Sequence, residues 1–531
     1  MAANEDGILC GPQEEFKIWF DSLGKHFYAC LKDKDPNDII AIDPVSKESI
    51  TAGDLLDKSV RLSCALRRLS VQKDDIVAII SENCIGYYVA LLASFYCGAI
   101  NFLINAAYVP RELKHAFTIA QPKIILCTSS SLPNVLKAKE ELMIESTIIS
   151  INEFVNNDLE YLCMNSLIQN EARVDDFKVE TVDSKDIAVL CLSSGTTGLS
   201  KCVELSHRNF IPFANALRDE RYLNLKDDVI LSVLPFFHIY GLLICTSAIM
   251  TSVKVVVISS FKPDIFLDSI QNLKGTQLFL VPPLLQFLLK SPLVNKYDIS
   301  SVKSIVVGAA PIGNDLYKEF QNRFKDITVR QVYGSTECGG LVSIQNYTDH
   351  TENVGSLIFG FKGKIVDLST QKPVSSLQIG ELCLKSMSIM VGYHNNDIET
   401  RNSFDDDGFY HTGDIGYYDE EGKLFIIDRI KEIIKYKGFQ VPPSELEDII
   451  MSHPAVQDCG VIGMPHDRAG EVPVAFVVVQ DGMKVTEEEL VQLVAENVST
   501  HKHLYGGVRF MEKIPRTVTG KILRRELKTL I

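Results

Sequence analysis

Ser193-Ser194-Gly195-Thr196-Thr197-Gly198-Leu199-Ser200-Lys201 is a run of hydroxyl side chains and glycines closed by a lysine. Ahead of it, Ile187 to Leu192 (IAVLCL) is a short apolar run that predicts a buried strand; behind it, Val203-Glu204-Leu205 predicts a second. A turn this rich in glycine brings backbone N–H groups close to a ligand. The Ser and Thr hydroxyls add donors, and Lys201 adds a positive charge at the rim. Such a nest suits polyphosphate, although the same residue types also fill ordinary solvated turns. The pattern argues against a P-loop, which ends Gly-Lys-Ser/Thr and runs into a helix, whereas Ser200-Lys201-Cys202 runs into a predicted strand.

Around this stretch the chain alternates helical and strand-like segments. Leu55 to Leu69 and Tyr87 to Gly98 have helical character; Ile76 to Ile80 and Lys123 to Cys127 are strand-like, as are Val253 to Ile258, Leu278 to Val281 and Ser304 to Val307. That order predicts an α/β domain with mostly parallel sheets and ligands beyond the carboxyl ends of the strands. Residues 154–186 are a polar surface segment, and Ser206 is a candidate cap for a helix running towards Arg218. A boundary falls after Asp428-Arg429: residues 1–429 are expected to form a large N-terminal domain. Residues 430–531 carry helices at Ser444 to Met451 and Thr486 to Asn497, with strands at Asp458 to Ile462 and Ala475 to Val479, and form a small α+β domain.

At 531 residues the chain is too long for one core. Its net charge of −15 argues against nucleic acid as a partner, since phosphate contacts demand a basic surface. Thirteen scattered cysteines without a Cys-x-x-Cys pair point to free thiols in a reducing compartment and disfavour structural zinc. Apolar runs such as Ile249 to Ile258 are too short to span a bilayer, so membrane insertion is not expected, and no obligate protein partner is evident. The ending Lys528-Thr529-Leu530-Ile531 is not a Ser-Lys-Leu peroxisomal address, and the expectation is a cytoplasmic protein.

Further stretches recur in a telling order: Phe236-Phe237-His238-Ile239-Tyr240-Gly241, Gly308-Ala309-Ala310-Pro311, Tyr333-Gly334-Ser335-Thr336-Glu337, Thr412-Gly413-Asp414, Asp428-Arg429, Lys435-Tyr436-Lys437-Gly438-Phe439-Gln440 and Thr519-Gly520-Lys521-Ile522. Any one of them is ordinary; a lone histidine among apolar residues is usually a satisfied core residue, and most lysines are solvated. As an ordered series they resemble the adenylate-forming enzymes, that is acyl-CoA synthetases, 4-coumarate–CoA ligases and insect luciferases. The loop departs from the family at Ser200 and Cys202, where Pro and Gly are usual.

The resemblance implies a role for each of these motifs. Ser193, Ser194, Gly195, Thr196, Thr197, Gly198 and Lys201 cradle the phosphates of ATP. Ala310, Tyr333 and Thr336 contact adenine and the α-phosphate, and Glu337 binds Mg²⁺, an oxygen ligand suited to that hard cation. Asp414, with Arg429, grips the ribose; Arg330 is a lesser candidate there. Arg218, His238, Tyr240, Gly308 and Ala309 belong to the pocket for a small carboxylic acid. Lys521 bridges the acyl carboxylate and the α-phosphate, and Lys435 serves a second step after the small domain, expected to be mobile, has swung round.

The implied chemistry is carboxylate plus MgATP giving acyl-AMP and pyrophosphate. The next reactant is CoA in a ligase or O₂ in a luciferase. Tyr505-Gly506-Gly507-Val508, Ile434-Lys435-Tyr436-Lys437-Gly438 and the overall length resemble insect luciferases of the glow-worm fly type. Gly308-Ala309-Ala310-Pro311 and Gly520-Lys521-Ile522-Leu523-Arg524-Arg525 look like CoA ligases. The expectation leans to luciferase, with CoA ligase as the alternative. Intact Lys201, Glu337, Asp414 and Lys521 disfavour a catalytically dead adenylate-binding protein.

Overall fold

The computed structural model describes residues 4–531 apart from 5–6, 13–16, 153–160, 173–175, 194–199, 224, 226–227, 350–351, 438 and 518–519. Among the described residues the large N-terminal part is built on three sheets. In an eight-stranded sheet, Ile100–Ile104, Ile76–Ile80, Ile124–Cys127 and Thr147–Ser150 run parallel side by side, and Ile187–Ser193 adds to the Ile100–Ile104 edge. In a nine-stranded sheet, Lys254–Val257, Val229–Ser232, Gln277–Leu280, Ser304–Val307 and Thr328–Tyr333 are likewise parallel.

The two sheets share one core, and that explains two helices whose sequences lack a polar face. Ile85–Tyr96 and Ile239–Met250 are buried almost all round because each is packed within that shared core. Helix Ala52–Arg68 is conventionally amphipathic by contrast, with Thr51 accepting from Asp54 N at its start. Ser206 does act as a cap, but of a 3₁₀ turn, His207–Phe210, which leads into helix Ile211–Ala216. Within the polar segment at 154–186, a short strand, Leu162–Cys163, and a helix, Met164–Gln169, are formed.

A third, antiparallel sheet departs from the parallel expectation. Leu9–Cys10, Lys362–Val366, Gly380–Lys385, Tyr410–Tyr418 and Leu424–Arg429 pair in that order. Glycine-bearing turns between short strands permit hairpins, which need no crossover helix. The smaller C-terminal α+β part has its own five-stranded sheet, centred on the long hairpin Val456–His466 with Gly470–Val479. Helices Pro443–Met451 and Glu487–Asn497 pack on it, and its hydrophobic clusters draw only on residues 434–527. It docks on the large part where Gln286 Nε2 donates to the Gln457 carbonyl at 3.2 Å and Gly520 lies against Val281 and Pro283. All thirteen cysteines are free thiols, and no described helix is long and apolar enough to cross a membrane.

Candidate active site

Ile187–Ser193 and Lys201–Ser206 form an antiparallel hairpin in which Ser193 pairs with Lys201. Ser194, Gly195, Thr196, Thr197 and Gly198, expected to cradle phosphate, lie outside the described residues. Ser193 is buried and lines a cavity. At the other shoulder, the Lys201 ammonium pairs with the Glu399 carboxylate and lies 4.7 Å over the Tyr393 ring. Cys202, one residue on, is buried in the strand opposite Leu192.

The cavity opens beyond the carboxyl ends of the nine-stranded sheet's parallel strands, where loops bring side chains together without strand pairing competing for their backbone. Tyr333, the last residue of Thr328–Tyr333, starts a tight turn in which Gly340 N donates to Ser335 O at 3.0 Å. Gly334 is demanded there, since a Cβ would stand 1.5 Å from the Gly340 carbonyl oxygen. The turn presents Thr336 and Glu337 to the cavity. Tyr393 donates to Glu337 Oε1 at 3.3 Å. Gly308 and Ala309 come directly after Ser304–Val307; Gly308 lies against the Tyr240 ring, and Ala309 lines the cavity with a φ of 71°. Ala310 is half-buried beside it and is not among the lining residues.

Asp414 is held from three sides. Its Oδ2 accepts from the Tyr333 hydroxyl at 2.6 Å, Arg429 Nε lies 2.9 Å from Oδ1, and its backbone N donates to Thr412 Oγ1 at 3.0 Å. Behind it, Glu381 Oε1 accepts from Gly413 N at 3.0 Å while Oε2 lies 2.9 Å from His411 Nδ1. Asp414 raises the Arg429 guanidinium still further above its usual range, and burial with the neighbouring Asp414 charge pushes Tyr333 well up.

Lys521 reaches the same cavity from the small domain. Burial, then the nearby Arg429 charge, lowers its pKa from 10.5 to about 8, against the opposing pull of Asp414 and Glu337. His238 caps the Ile239–Met250 helix, and its buried Nδ1 has no hydrogen-bond partner among the described residues. Burial and then Lys521 lower its pKa to about 4, so the imidazole is neutral at physiological pH. A neutral ring with a buried unpaired nitrogen facing a cavity is suited to a polar ligand group.

Arg218 and Arg330 face away from the cavity, and Lys435 lies on the outer face, where the resemblance puts it before the small domain swings round. Arg218 follows Leu217 at the end of a helical turn; Leu217 points into the cavity, while Arg218 is exposed and donates to the Met250 carbonyl at 3.4 Å. Neighbouring helical positions differ by about 100°, so both cannot face inward. Arg330 is a core residue, donating to the Tyr222 carbonyl at 2.6 Å with its guanidinium 3.8 Å from the Tyr347 ring centre. Lys435 points outward from strand Ile434–Tyr436, whose buried–exposed–buried alternation fixes that direction. Conversely, Glu399, Tyr393 and the Glu381–His411 pair carry no local signal, because their partners are distant in sequence.

Comparison with known proteins agrees with this geometry. The AMP-binding enzyme family matches residues 31–394, and the AMP-binding enzyme C-terminal domain matches residues 445–521. A luciferin 4-monooxygenase from Nipponoluciola cruciata is 35% identical over 99% of this chain and 98% of its own. A probable 4-coumarate–CoA ligase from Dictyostelium discoideum is 34% identical over 93% of this chain and 92% of its own. The solved structure of a luciferase-like enzyme from the nonluminescent mealworm Zophobas morio is 28% identical with a TM-score of 0.74, covering 80% of this chain and all of that one.

Proposed function

The chain belongs to the AMP-binding family of adenylate-forming enzymes, and from that premise we propose that it is an acid–CoA ligase, which activates a small carboxylic acid as acyl-AMP and passes the acyl group to the CoA thiol. The observation that carries the reading is Lys521: a partly buried ammonium brought by the small domain to a cavity it shares with Arg429 and Glu337. In-line attack of a carboxylate on the α-phosphorus joins two anions, and a placed cation stabilises the charge that builds there.

In this reading ATP enters over the Ser193–Lys201 turn, with Ala310 and Tyr333 beside adenine and Thr336 at the α-phosphate. Asp414 accepts from the ribose hydroxyls; each oxygen already takes one partner, and a carboxylate oxygen accepts two. The Glu337 carboxylate offers the oxygen donor Mg²⁺ prefers, and it would hold that ion, which offsets charge on the leaving pyrophosphate. The acid lies beside His238, Tyr240, Gly308 and Ala309, its carboxylate towards Lys521. In the second step the CoA thiol loses its proton to solvent as its sulfur attacks the acyl carbonyl carbon, the bond to the phosphate oxygen breaks, and AMP leaves. Lys435, now outside, would enter for that step.

The luciferase expectation gives way to the ligase reading. Both activities are named among the relatives, and luciferase-likeness extends to a nonluminescent animal, so it does not by itself carry light. Luciferase remains the second reading, favoured by the near-complete coverage of a luciferin monooxygenase. The test is ATP-dependent pyrophosphate release across carboxylic acids, with CoA consumption and photon counting in parallel. CoA consumed in step with AMP, without photons, is expected. Light requiring ATP, O₂ and a luciferin, with no thioester formed, would overturn the ligase reading.

A further inference from the structure

The acid-binding part of the cavity is mostly apolar and runs along helix Ile239–Met250. His238 caps that helix at the reacting end, and Tyr240, Leu243, Ile244 and Ser247 line the cavity at successive turns of one face. Leu217 and Leu225 face them from the segment preceding strand Val229–Ser232. From His238 to Ser247 the helix rises about 13 Å at its usual pitch. An extended chain covers about 1.2 Å per bond, so this is the reach of roughly ten or eleven carbon–carbon bonds.

Among the described residues that line this part of the cavity there is no charge and no spare hydroxyl proton. Ser247 Oγ donates to the Ile244 carbonyl at 2.7 Å, and the Tyr240 hydroxyl donates to the Val306 carbonyl at 3.1 Å. A second carboxylate at the far end of an acid would be desolvated without a donor. A single-ring acid would leave much of the length unfilled, forgoing about fourfold in binding for each missing methylene.

We propose that the substrate is an unbranched aliphatic monocarboxylic acid of medium length, about eight to twelve carbons, laid along the Ile239–Met250 helix with its methyl end at Ser247. The proposal rests on the adenylation reading above and adds the acid's class to it.

The experiment measures ATP-dependent pyrophosphate release and CoA consumption by the full chain with saturated acids of increasing length, with dicarboxylic acids of matched length, and with 4-hydroxycinnamic acid. The expected result is kcat/KM rising about three- to fourfold per methylene to a maximum at medium length, then falling. Dicarboxylic and hydroxycinnamic acids should be at least tenfold poorer than the best fatty acid. Ser247→Phe should fill the inner end and shift the ratio of hexanoate to decanoate kcat/KM towards hexanoate. A ratio within one preparation does not depend on how much of the variant folds, and the wild-type length series decides alone if none does. Vigorous turnover of the hydroxycinnamic or a dicarboxylic acid, or no dependence on chain length, would overturn the proposal while leaving acid activation intact. Release of pyrophosphate with no acid of any class would overturn the adenylation reading and this proposal with it.

Discussion

Lys521 ionises near neutrality because burial penalises its charge and Arg429 repels it, while Asp414 and Glu337 only partly compensate. A lowered lysine pKa means the proton is lost earlier as pH rises, so the charged form needed for adenylation prevails only below about 8. The kcat/KM of acyl-AMP formation is therefore expected to fall about tenfold per unit above that value. The kcat, read with ATP bound, should break at higher pH, since triphosphate favours the ammonium. Lys521→Arg should remove this limb from the pH–rate profile, whatever it does to the maximum. A limb that survives in that variant would belong to another group. The neutral His238, by contrast, should contribute nothing to the profile between pH 5 and 9.

At the level of elements, two pieces of backbone aim the site. Glu381 holds both His411 and Gly413 N, so the strand carrying Asp414 is fixed by a carboxylate one strand away. Glu381→Gln replaces one acceptor by a donor and should raise KM for ATP about tenfold, the scale of a lost hydrogen bond to a charged group. Pyrophosphate exchange titrated against ATP checks this; an unchanged KM would leave Glu381 a purely structural residue. The hairpin at Ser193–Lys201 makes the opposite case. Cys202→Gly removes a buried side chain from a paired strand and should cost about 1–3 kcal/mol of stability. KM for ATP should stay within a few-fold. A melting temperature held at the wild-type value with a large change in KM would show that Cys202 governs the loop itself.

At the scale of the whole molecule, the docked arrangement places Lys521 inside and Lys435 outside. If residues 430–531 turn about the Asp428-Arg429 junction between half-reactions, the lysines serve different steps. Lys521→Ala should slow acyl-AMP formation by about 10²–10³ yet spare thioester formation from supplied acyl-AMP. Lys435→Ala should do the reverse. Equal losses in both steps for both variants would sink the rotation. Single-turnover rates with each intermediate supplied make the measurement.

The sequence by itself determined the α/β alternation, the hairpin of Ile187–Ser193 with Lys201–Ser206 and membership of the family, because each is written in neighbouring residues. A strand of apolar residues, a glycine forced by a turn, or Tyr333 three positions before Thr336 needs no distant partner to be legible. The sequence also singled out Lys521 and Glu337, which the fold brings to one cavity, and Asp414, which pairs with Arg429 there. It misplaced Arg218 and Arg330, because a cation's address depends on which way a short helical turn or a core strand faces, and burial alone settles that. It held no sign of the Glu399–Lys201 or Glu381–His411 pairs, whose members are brought together only by strand pairing and packing across the fold. Nor could it show which face of the Ile239–Met250 helix lines the cavity. A helix apolar on every side has no periodic signal, and only the sheets packed around it decided where the empty space would lie.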